Sequence, residues 1–215
     1  MAPDRGRALA GGILYLVTFV TSIPAAALYA PLLAGEPADP TAAAWSAVLE
    51  VALALACIGT AVVLFPLLRP SGELGAIGFV AARTLEAAII LIGVIAVLSL
   101  ATLRADGTAS EDPVARLLVE LHRWAFLLGP GLIPAINALC IAPVVFRARL
   151  VPRAIPIVGM VGIPLLLASA TASIFGALDQ TAPIAALLAA PIALWELSLG
   201  IGLIVRGARG ARRVS

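Results

Sequence analysis

The sequence contains no lysine, a single histidine (His122), two cysteines and only 12% charged residues among 215. Each scarcity excludes something. Cys57 and Cys140 have no paired spacing and read as small apolar fillers, and with one histidine there is no zinc motif and no pair of haem histidines. Carboxylates with His122 are the only material for a metal site, so neither a metal nor a cofactor is expected. No glycine-rich phosphate loop follows a strand, and no serine elbow is present. A soluble domain of this length carries about twice the charge.

What is abundant settles the class. Hydrophobic residues make up 62% of the chain and the mean hydropathy is +1.10, values of a polytopic membrane protein. About 20 apolar residues, each rising about 1.5 Å, cross a hydrocarbon layer roughly 30 Å thick. Six such runs lie at 8–34, 42–68, 74–102, 115–146, 154–177 and 183–206. The expected fold is all-α: one membrane domain over 1–215, built as a bundle of six transmembrane helices, with no room for a soluble domain. Proline and glycine punctuate the gaps, as at Gly35, Pro40, Pro70, Gly72, Pro113, Pro152 and Pro183. These gaps are short, so successive helices should be antiparallel neighbours. The first run, behind Arg5 and Arg7, is too long for a cleaved signal peptide. Pro24, Pro130, Pro134 and Pro191 lie inside runs and predict simple bends.

All basic residues are arginine, and they segregate between alternate loops. Arg5, Arg7, Arg69, Arg147, Arg149, Arg153, Arg206, Arg209, Arg212 and Arg213 fall on one side. Arg104 and Arg116 fall on the other, with Glu36, Asp39, Asp106, Glu111, Asp112 and Asp179. The positive-inside rule then makes both termini cytoplasmic. The tail RGARGARR follows the last run directly, so it reads as a topology signal touching anionic lipid head groups and not as a nucleic-acid site. The expected partner is the lipid bilayer; no nucleic acid is expected, and the oligomeric state is open.

The functional clue is a set of ionisable residues inside or beside the runs: Glu50, Arg83, Glu86, His122, Arg123 and Glu196. A charge at the centre of a membrane helix costs about 2.5–3.5 kcal/mol on insertion scales, so such residues are rarely idle. Arg83 and Glu86 are three apart, on one helical face, and can partly neutralise each other. Glu50, Glu86, His122 and Glu196 are candidates for one polar pocket opening outward, with Arg83 or Arg123 as counter-ions. The competing reading is structural, with ion pairs that lock the bundle. Tyr15, Asn137 and Trp195 are secondary candidates. Asn137 is expected to satisfy a carbonyl freed by a nearby proline. Thr18, Thr21, Ser22, Ser169, Thr171 and Ser173 are polar residues whose hydroxyls more often bond within their own helix.

Several segments are familiar together. The opening RALAGGILYLVTFVTSIPA, the R-x-x-E from Arg83 to Glu86, LHRWAF around His122, FRARLVPRAIPIVGMVG over 146–162 and the closing APIALWELSLGIGLIVRG resemble a bacterial membrane family known as domain of unknown function 4386. The likeness spans nearly the whole chain and implies the same fold, orientation and a bacterial cytoplasmic membrane. It directs interest to Arg83, Glu86, His122, Arg153 and Glu196, and it implies no activity. The leading expectation is binding of a small lipophilic or amphiphilic molecule in an intramembrane polar pocket. The alternatives are a proton-coupled transporter using Glu86 or Glu196, a membrane enzyme doing acid-base chemistry on an isoprenoid-like or lipid substrate, and a structural subunit of a complex.

Overall fold

Aspartate and proline mark where several helices begin. In the computed structural model, which describes residues 2–36, 39–105 and 112–212 and the side chains of 4–206 among them, α1 (Ala2–Ala34) is followed by α2 (Pro40–Leu68). Asp39 caps α2 by accepting the Thr41 N–H at 2.9 Å. α3 (Glu73–Ala105) follows a 3-10 turn at Arg69–Ser71, and α4 (Pro113–Leu128) repeats the cap, with Asp112 accepting from Val114 N–H at 2.7 Å. α5 (Ile133–Ala148), α6 (Ala154–Ile174) and α7 (Pro183–Arg212) complete the chain. At these helix starts proline is unstrained, because the N–H it lacks would have no intrahelical acceptor. Asp106, Glu111 and Arg213 lie outside the described residues, as do the side chains of Arg209 and Arg212.

Among the described residues, six segments are long and apolar enough to cross a membrane: Asp4–Ala34, Pro40–Ser71, Glu73–Ala105, Pro113–Ala148, Ala154–Ile174 and Pro183–Arg206. The chain is a helical, multi-pass membrane protein. Its sixth helix stops at Ile174, short of the expected 177, and Gly176 takes a left-handed φ of 70° in the turn that follows.

The fourth crossing corrects an expectation. A bend was expected at Pro130 and Pro134, but the helix breaks at 129–132 into α4 and α5. Elsewhere helices run through proline unbroken, as α1 does at Pro24 and Pro31 and α7 at Pro191. The difference lies in the neighbours. Gly129 and Gly131 flank Pro130, and Pro134 follows in the first turn of α5, so backbone freedom coincides with two missing N–H donors. A Cβ on Gly131 would lie 2.6 Å from the Leu127 carbonyl oxygen, so this turn admits only glycine there. The Gly131 N–H donates to the Phe126 carbonyl at 2.9 Å and the Ile133 N–H to that of Gly129 at 3.0 Å, which keeps the break satisfied at membrane depth.

Neighbour contacts close the helices into a ring, in the order α1, α2, α3, α5, α6, α7 and back to α1. α4 packs on α3 and does not continue the line of α5 between α3 and α6. At the junction of α1 and α7 two glycines face each other, and a Cβ on Gly12 would strike the Gly200 carbonyl. The outer surface is apolar, with Val20 70%, Leu55 64% and Leu187 66% exposed, which suits a lipid surround. The two rims differ in charge: Asp39, Asp112 and Asp179 lie on one, and Arg69, Arg147, Arg149, Arg153 and Arg206 on the other.

Candidate functional site

Arg83 stands within the ring, 1% exposed, and joins two buried carboxylates there. It lies about 15 Å along α3 from Glu73, at about 1.5 Å per residue. One terminal nitrogen, Nη1, donates to Glu86 Oε2 at 3.0 Å on the same helical face, and the other, Nη2, donates to Glu196 Oε1 on α7 at 2.6 Å. From α5, Asn137 Nδ2 donates to the same Glu86 Oε2 at 2.8 Å. The guanidinium also lies 5.0 Å from the centre of the Tyr15 ring and 5.6 Å from that of Phe79, within cation-π range. Side chains of α1, α2, α3, α5 and α7 thus gather in one cluster around the cation.

The expectation for Asn137 is corrected by this geometry: its amide serves a carboxylate, not a carbonyl freed by proline. Cys57 also departs from a plain filler, because its Sγ receives Arg83 Nη1 at 3.5 Å. Tyr15 and Trp195 are both buried to within 1%. Trp195 packs against Gly159 of α6, which holds the α7 turn that presents Glu196. The Tyr15 hydroxyl, Arg83 Nε and Asn137 Oδ1 are buried without a hydrogen-bond partner among the described residues.

A cavity of about 350 Å³ reaches Glu196 between α1, the break at 129–132, α6 and α7. Its walls are apolar, with Phe19, Phe126, Leu166 and Ile192, and its mouth lies at Gln180 and Thr181 in the turn between α6 and α7. A smaller cavity of about 150 Å³ adjoins it, shares Phe19, Pro130, Pro134 and Glu196, and is bordered by Arg83, Glu86 and Cys57. The backbone break at 129–132 lies in the wall of both cavities. Ser173 Oγ and Gln180 Oε1, both of residues lining the larger cavity, are buried without a hydrogen-bond partner among the described residues. At the mouth, Asp179 accepts the Thr181 N–H at 2.8 Å and its hydroxyl at 2.7 Å, and these bonds hold the Asp179 carboxyl below the usual aspartate range.

The remaining candidates lie elsewhere. His122, 3% exposed, donates from Nδ1 to the Gly93 carbonyl at 3.3 Å and packs edge-on to Tyr29, with ring centres 4.6 Å apart. Glu50 is buried on α2. Neither Glu50 nor His122 is among the residues that line the cavity holding Glu196 or the smaller one beside it. Arg123 points outward and pairs with Glu120 at 2.9 Å, with both side chains more than half exposed, so it is no counter-ion for the interior. Thr18, Thr21 and Ser22 donate to carbonyls of their own helix.

A family model described as a domain of unknown function (DUF4386) matches residues 10–207. The chain belongs to this family. No curated protein and no solved structure matches it. The match covers all six crossings of this family member, including Arg83, Glu86, Asn137 and Glu196. Phe19, Cys57, Phe79, Ser173 and Gln180 are site residues that sequence reasoning missed or set aside. They are ordinary residues of apolar runs and a turn, and only the way the helices face one another picks them out.

Proposed function

We propose that this protein binds a small amphiphilic molecule in the cavity above Glu196, with the apolar part between Phe19, Phe126 and Ile192 and the polar end at the Glu196 carboxylate. The observation that carries this reading is one apolar-walled cavity of about 350 Å³ whose floor is a buried carboxylate. A site that is mostly apolar with a few convergent polar groups is the usual form of a small-molecule pocket. The arginine-rich rim is cytoplasmic by the positive-inside rule, so the cavity opens away from the cytoplasm of a bacterial cell.

Native mass spectrometry of the gently purified protein tests this. A discrete non-protein mass should stay bound, and it should be lost both from Glu196→Gln and from Ala189→Phe, which fills the cavity without touching Arg83. Equal retention by both variants overturns the proposal.

One observation favours a second reading, proton-coupled transport. Two carboxylates share one guanidinium, so the cluster is balanced by one further positive charge, and a proton is the smallest available. In proteoliposomes a pH gradient should then drive flux of the retained molecule, and Glu196→Gln should abolish it.

A further inference from the structure

The opposite, arginine-rich rim carries a separate groove. Its volume is about 650 Å³, and it runs between the turn joining α5 to α6 and the last turns of α7. Leu150, Val151, Ile155, Ile201 and Val205 form its walls, and Arg149 and Arg206 stand at its edge. On α7 the groove extends from Arg206 to Ser198, about 12 Å at about 1.5 Å per residue, so it leads from the rim into the hydrocarbon layer.

Arg149 is the telling residue. It follows the end of α5 in the left-handed region, with φ 51° and ψ 39°, and is the one residue other than glycine with positive φ among the described residues. Helices ending this way ordinarily use glycine there, because a Cβ is strained. The strained backbone sets an arginine at the edge of the groove, and Arg206 Nη1 holds the turn from the other side by donating to the Arg149 and Leu150 carbonyls at 3.0 and 2.9 Å. Arg147 and Arg153 flank the turn, and no acidic residue occurs in 146–153 or in 198–206.

We infer that this groove binds an anionic phospholipid, with the head-group phosphate between Arg149 and Arg206 and the start of one acyl chain along Ile201 and Val205. Charge at the edge and apolar walls leading inward match the two ends of that molecule, and a free phosphate would use only the first. The site lies at the other rim from the Glu196 cavity and does not depend on its reading.

The test compares phosphatidylglycerol with phosphatidylcholine of the same acyl chains, added to the full-length delipidated protein and read by native mass spectrometry. Retention should favour phosphatidylglycerol by at least about five-fold, the scale of one basic group near a membrane surface. Two variants should remove most of that preference. Arg149→Gly deletes the charge at a position where glycine is unstrained, and Val205→Glu places an opposing charge on a part-exposed wall. Both should melt close to or above the parent. No preference for phosphatidylglycerol, or a preference unchanged in both folded variants, overturns the site. Displacement of the lipid by millimolar inorganic phosphate would make it a soluble-anion site and overturn the lipid assignment.

Discussion

Arg83 and Glu196, 113 residues apart in sequence, meet at 2.6 Å and join the third helix to the last. Both are almost wholly buried, so neither exchanges this partner for water. Breaking such a pair from one side leaves a charge that nothing compensates, which is far costlier than replacing the whole group.

Arg83→Met should therefore destabilise the protein by about 3–5 kcal/mol, since two carboxylates lose their cation. Adding Glu86→Gln and Glu196→Gln to that variant should restore much of the loss. Thermal unfolding in detergent measures both. Equal stability of Arg83→Met and the parent would contradict the central place given to this residue.

Asn137 offers a gentler probe of the same cluster. Its amide makes a charge-assisted bond to Glu86, so Asn137→Ala should cost about 1.5–3 kcal/mol. Asn137→Asp sets a third carboxyl against the Glu86 carboxylate and should cost more than alanine does. The order of the two melting temperatures is the readout.

The break in the fourth crossing makes a prediction about two glycines. Gly131→Ala forces a Cβ against the Leu127 carbonyl and should destabilise by about 1–3 kcal/mol. Gly6→Ala, where nothing lies within 4 Å, should instead stabilise α1, by about 0.5–1 kcal/mol of helix propensity. If both changes behaved alike, the packing at the break would not be what holds it.

At the cavity mouth the pH dependence has a definite sign. The bonds from Thr181 keep the folded Asp179 carboxyl below its ordinary value of 3.8, so the turn is fully supported above that value. Support declines as pH falls below 3.8 and is lost once pH has passed the lower, folded value. Exchange protection of the Thr181 amide should follow this course, and Asp179→Asn should flatten it. Complete loss of protection already above 3.8 would contradict the assignment.

How much of this was legible in the chain depends on what a linear pattern encodes. Length and hydropathy fix depth, so the six crossings and the mid-membrane position of Glu86 and Glu196 follow from the sequence. Direction around the helix axis does not. His122 and Arg123 are adjacent, yet about 100° of rotation per residue puts one inside against Gly93 and the other outside with Glu120. Glu50 and Glu86 are both buried, but only Glu86 is brought to Arg83 and Asn137, because their positions on α3 and α5 face it. The pairing of Arg83 with Glu86 was readable because three residues of one helix set it. The pairing with Glu196 was not, because it depends on the close approach of α7. The break at 129–132 needed more than the presence of proline: two flanking glycines distinguish Pro130 from Pro24 and Pro191, through which helices run unbroken.

The placement of the three charges also bears on how the chain is assembled in the membrane as it is made. Arg83 and Glu86 arrive together on one helix, three residues apart, as a pair that already offsets itself. Glu196 comes with the last helix, as a lone carboxylate that is costly in hydrocarbon until it meets a cation. The cation waits on α3, with Nη2 available for the newcomer. Closing the ring and neutralising Glu196 are consequently one event, and α7 serves as the latch that completes the bundle.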